Sequence, residues 1–111
     1  MNVYDEAHKL ARAVKESGEF QHFDALRKKI DENPELAEVL KDFQEKQLKL
    51  QAKQLMGEDI GDMNAEIQKL AAVVMANPQA AEYLQAQLRL TLMMNDVYKI
   101  LADAIGLGNI G

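Results

Sequence analysis

Few residues in this chain have the chemistry to act as nucleophiles, metal ligands or redox centres. His8 and His22 are the only histidines, Ser17 the only serine, Thr91 the only threonine, and cysteine and tryptophan are absent. The two histidines form no His-x-x-x-His or other paired-histidine motif of the kind that holds a transition metal. Without cysteine there can be no disulfide, thiolate nucleophile or cysteine-ligated cluster. Ser17 falls at a helix boundary, where capping accounts for it, and Thr91 sits among leucines, so no Ser-His-Asp set assembles. Gly57, Gly61, Gly106, Gly108 and Gly111 lack the strand and lysine contexts of a phosphate-binding loop. Glu58, Asp59 and Asp62 cluster in a turn, but without the spacing of a calcium loop. Met93 and Met94 lie at helical spacing with leucines, as core or interface filling. The sequence therefore predicts no catalytic residue, no metal site and no cofactor.

The chain has 111 residues, enough for one domain with a real core, and we expect a single all-helical domain over 1–111. Its net charge is -5, the reverse of the basic footprint that general nucleic-acid binding requires. The longest apolar run is Leu70 to Ala76, too short to span a bilayer. The N-terminus carries an early acidic pair, Asp5-Glu6, and no signal-peptide core, so a cytoplasmic protein with no membrane partner is expected.

Helical spacing dominates the elements that would carry any function. Val3, Ala7, Leu10 and Val14 step by four, three and four, with Asn2 placed to cap. Phe20, Phe23, Leu26 or Arg27, and Ile30 mark a second helix after Ser17-Gly18. Asn33-Pro34 then stops one helix and starts another, since a residue before proline leaves the helical region and proline suits the first helical position. A long helix over about 34–55 follows, then a turn at 57–62 with Asp62 as a candidate cap. A fourth helix carries Met63, Ile67, Leu70 and Val74. Asn77-Pro78 opens a second long helix over about 78–105, and the tail 106–111 is expected to fray. The expectation is an all-α five-helix bundle: two long helices, shorter ones packed on them, and two Asn-Pro corners. The corners share the pattern N-P-x-x-A-E-x-L, which reads either as an internal duplication or as one good helix start used twice.

The fifth helix is apolar around most of its circumference, and such a helix has to be covered all round. Leu84, Leu88, Leu92, Met93, Met94, Val97 and Leu101 are the candidates for a homodimer interface, because the other helices offer one stripe each. Asp96, Lys99 and Asp103 form a solvated, ion-paired stripe on the same helix. In the third helix, Gln44, Gln47, Gln51 and Gln54 make a glutamine seam beside Lys46, Lys49 and Lys53. The surface of Gln44, Lys46, Gln47, Lys49, Gln51 and Lys53 reads as a docking face for an acidic partner, as a nucleic-acid contact, or as a solvated face.

Four stretches together resemble the YheA-type branch of the YlbF/YmcA family of Firmicutes. These are Asn2-Val3-Tyr4-Asp5-Glu6-Ala7-His8-Lys9-Leu10-Ala11, the Asn33-Pro34-Glu35-Leu36 corner, the run from Lys46 to Gln54, and Met93-Met94-Asn95-Asp96-Val97-Tyr98-Lys99-Ile100. The resemblance spans nearly the whole chain. It implies a small, helical, cytoplasmic, self-associating protein that is not an enzyme. It also implies an accessory role in competence, sporulation or biofilm control, or partnership with an RNA-degrading ribonuclease. Iron–sulfur clusters held through cysteines, as in some members, do not carry over to a chain without cysteine. The sequence thus points to a non-catalytic dimeric interaction protein with a protein partner; the alternative is a nucleic-acid-binding regulator using the lysines of the third helix.

Overall fold

Capping chemistry sets the helix boundaries. A computed structural model of the chain describes residues 2–107. It forms α1 Val3–Glu16, α2 Gly18–Asp31, α3 Pro34–Leu55, α4 Gly61–Met75 and α5 Pro78–Ala104. No strand occurs among the described residues, and the fold is the all-α bundle the spacing predicts. Asn2 Oδ1 accepts from the Tyr4 N–H at 2.8 Å and starts α1. Ser17 closes α1 and opens α2 at once: its hydroxyl donates to the Val14 carbonyl at 2.6 Å and accepts from the Phe20 N–H at 3.1 Å.

The two Asn-Pro corners repeat down to their hydrogen bonds. Asn33 Oδ1 accepts from the Leu36 N–H at 3.3 Å, and Asn77 Oδ1 from the N–H groups of Gln79 and Ala80 at 2.9 and 3.2 Å. Each asparagine N–H also closes the preceding helix, Asn33 onto Ile30 and Asn77 onto Val74. The residues that follow at equal distance, Leu36 and Ala80, are both buried, as are Ile30 and Val74 before them.

One expected cap is corrected. Asp62 does not cap α4; the helix opens at Gly61, and the carboxylate of Asp59 accepts the Gly61 N–H at 3.0 Å. Asp62 instead lies in the first turn, where its charge favours the positive helix end. Gly57, at φ +74°, ends α3 in a left-handed turn. The Glu58 N–H reaches the Lys53 carbonyl and the Gly57 N–H that of Gln54, the two bonds of a Schellman motif. α5 ends at Ala104, and Gly106 turns with φ +82°. Residues 108–111 of the expected frayed tail lie outside the described residues.

The chain divides into two compact units, one of residues up to Leu26 together with those from Leu84 onward, the other Arg27–Tyr83. The second is built on the antiparallel α3–α4 hairpin, and Ile30, Leu36, Leu40, Phe43, Ile67, Val74 and Ala80 are its buried residues. In the first unit only Leu26 and Ala86 are buried among the described residues, and α1 has no buried residue. That imbalance places the open question of cover in the first unit.

Candidate interaction surfaces

In the first unit, α1 keeps the 4-3-4 spacing of Val3, Ala7, Leu10 and Val14, yet Val3 is 79% exposed. Val3, Ala7 and Leu10 line one wall of a groove of about 400 Å³, with Leu101 of α5 opposite. Among the described residues Glu6 is the only charged one lining it, and its carboxylate pairs with Lys9 Nζ at 3.2 Å. The groove therefore presents carbon and asks for no hydrogen bond.

The seven residues proposed from the sequence as an interface do not share one surface. Leu84, Met93, Met94 and Val97 are half-buried, while Leu88, Leu92 and Leu101 are exposed. Leu92 and Leu101 are nine positions apart, about two and a half turns, so they stand on opposite sides of α5. α5 thus has two exposed apolar stripes, one through Leu88 and Leu92, the other through Tyr98 and Leu101 and continued by Ile105 just past the helix end. Sequence reasoning missed the apolar face of α1, because it counted that face as cover for α5 and not as a surface that itself lacks cover. Asp96, Lys99 and Asp103 are exposed as expected but form no ion pair among the described residues. Fully hydrated charges at this spacing gain little from pairing.

In the second unit, the lysine row is broken at its first member. Lys46 Nζ lies 2.8 Å from Glu66 Oε1 on α4 and 3.2 Å from Asp42 Oδ2 one turn back on α3. The hydrogen bond to Glu66, and then that to Asp42, hold its ammonium above the usual lysine range. Lys49, Gln47 and Gln51 are exposed, Lys53 is half-buried, and Gln44 is half-buried beside a cleft of about 270 Å³. Arg27, Lys41 and Tyr83 also line that cleft, over the buried Ile30 and Leu40. Burial pushes the Tyr83 phenol above its ordinary value; Arg27 opposes the shift and Asp31 adds to it.

His22 and Glu19 line a smaller cleft of the first unit with Ala86 and Arg89. Among the described residues, no three histidine, aspartate or glutamate side chains come together as metal ligands. No helix among them is long and apolar enough to cross a membrane.

Residues 3–106 match the family model described as "Control of competence regulator ComK, YlbF/YmcA". The chain belongs to the YlbF/YmcA family. It is similar to UPF0342 proteins of three bacteria. With that of Caldicellulosiruptor bescii it shares 40% identity over 105 residues, 94% of this chain and 88% of the relative. The protein of Caldicellulosiruptor saccharolyticus is 38% identical over 107 residues, 96% and 89% of the two chains. That of Symbiobacterium thermophilum is 38% identical over 104 residues, 93% of each. Because the YlbF/YmcA match begins at Val3, it includes all of α1. The exposed apolar helix is thus part of the family's matched region.

Proposed function

We propose that this protein is a non-catalytic helical interaction protein, dimeric, that serves as an accessory factor of a regulatory complex. One observation carries the reading: among the described residues the first unit leaves an apolar surface on α1 and α5 exposed, and the one charged residue lining its groove, Glu6, is already paired. A patch of that kind marks a binding face. The family's description, control of a competence regulator, supports a role exercised through other proteins and not through turnover of a substrate. Within that role, RNA processing or developmental control of competence, sporulation or biofilm formation is the setting we assign, and the cytoplasm the compartment.

The test is a tagged pull-down from the native host, with and without nuclease, read by mass spectrometry. A defined protein set recovered regardless of nuclease is the expected result and names the complex. Recovery that vanishes with nuclease would overturn the reading in favour of nucleic-acid binding.

A further inference from the structure

The dimer proposed above leaves open which surface joins the copies. We infer that the two copies meet through paired seams, Val3–Ala7–Leu10–Val14 of α1 and Met94–Tyr98–Leu101 of α5 continued by Ile105 just past its end, packed about a two-fold axis as four helices. This rests on the self-association proposed above and replaces the interface drawn on α5 alone.

Both seams step by four, three and four, the spacing by which one helix seats apolar side chains into the gaps of another. They adjoin, since Leu101 of one seam and Val3, Ala7 and Leu10 of the other line the same groove. α1 has 14 residues and no buried side chain. A helix of that length is marginal in water unless its apolar face is packed, so a stable α1 needs an occupant for that groove.

Charge is excluded from the α5 seam. At about 100° per residue, Arg89, Asp96 and Asp103 fall on the side of α5 opposite Met94, Tyr98 and Leu101, and Lys99 lies more than a quarter turn away. Burying the α5 seam therefore strands no ion, and Glu6, which borders the α1 seam in the groove, already has Lys9 as its partner.

The size of the surface selects a second copy. The eight seam side chains expose on the order of 700 Å², above what a lone protein usually carries as one patch and close to the roughly 800 Å² each partner buries in a stable pair. Such a surface needs a partner present in equal amount from the moment of synthesis. Another copy meets that condition, and it brings two seams of the same spacing. A two-fold axis sets each seam against its equivalent or its neighbour, giving a bundle with all four stripes inside.

Sedimentation equilibrium of the full chain provides the test, with circular dichroism to confirm that each variant is folded. The wild-type chain should run at twice 12.5 kDa. Leu101→Ala and Leu10→Ala, which add no charge, should each raise the dissociation constant by about tenfold or more, the loss expected of a central interface residue. Leu92→Ala, on the opposite side of α5, should change it by less than about threefold. A wild-type dimer that ignores Leu10→Ala and Leu101→Ala overturns the seams and leaves self-association standing. A wild-type monomer at micromolar concentration overturns both. Should an alanine variant lose helicity, Leu101→Met, which keeps volume and apolarity, has to restore the dimer; failure to do so counts against the seam.

Discussion

Lys46 on α3 reaches Glu66 on α4, twenty positions along the chain, and at 2.8 Å this bond ties the two arms of the hairpin together. Asp42, on the same helix as Lys46, takes a second side of the ammonium at 3.2 Å. Lys46→Glu should lower the melting temperature more than Lys46→Gln, because it sets a third carboxylate against two. Pairing Lys46→Glu with Glu66→Lys should recover part of the loss. Thermal melts by circular dichroism at low and high salt decide this. Gln and Glu variants that melt at the wild-type temperature would show that the pair contributes nothing to the hairpin.

The asparagine corners allow a graded comparison. Asn77 accepts two N–H groups, while Asn33 accepts one at the longer distance of 3.3 Å. Loss of a cap costs about 0.5–2 kcal/mol, so Asn77→Ala should fall in the upper part of that range and Asn33→Ala in the lower. Urea denaturation measures both. A larger loss at Asn33 would mean that the corners are held by burial of Leu36 and Ala80 and not by their caps.

These corners were legible in the sequence because capping is local: asparagine, proline and the N–H groups they serve lie within four residues. The start of α4 was misread for an equally local reason: Asp59 and Asp62 flank Gly61, spacing does not rank them, and the cap position itself falls to Ile60, which makes no side-chain cap bond. Non-local features were not legible. Lys46 reads as one of a row of lysines, and its partner on α4 is invisible to any rule based on neighbouring turns. The apolarity of α5 was plain, but periodicity does not say which stripe the chain itself covers. Leu92 and Leu101 therefore stood together as candidates although they point apart. α1 had the cleanest stripe of all, and only the structure shows that, among the described residues, none of α1 is buried.

Core and surface leucines should separate sharply in stability. Leu40 is 3% exposed and Leu92 is 55% exposed. Leu40→Ala should cost about 2–5 kcal/mol through lost transfer energy and the cavity left behind. Leu92→Ala should stay within about 0.5 kcal/mol. Denaturation of both at one protein concentration is the check, and a large loss at Leu92 would show that its stripe is covered in the folded protein.

Alkali should loosen the second unit. Tyr83 and Lys46 both have folded-state values raised above their ordinary 10.0 and 10.5, Tyr83 through burial and Lys46 through its hydrogen bonds. Above the ordinary values the folded chain binds more protons than the unfolded one, so stability falls as pH rises. The contribution is fully present below about pH 10 and is lost as pH climbs through the folded values. Tyr83→Phe removes the tyrosine part, and its stability should decline less steeply between about pH 9 and 11. Urea midpoints across that range measure the slope. An unchanged slope would assign the alkaline loss to other groups.

The lysines of α3 provide the direct contest between protein and nucleic-acid partners. A protein that neutralises phosphates loses affinity with salt at a slope of about 0.7 to 0.9 per phosphate contacted. Lys46 is held by two carboxylates, which leaves Lys49 and Lys53 of the row, on a chain whose net charge is -5. Two cations against that background give at most a shallow slope and weak binding. We therefore expect no measurable affinity for single-stranded RNA at physiological salt, and no change in stability when Lys49 and Lys53 are both replaced by glutamate. Tight RNA binding with a slope that falls by about two units in that double variant would reverse the order of the readings, because only direct phosphate contact by those two side chains produces it.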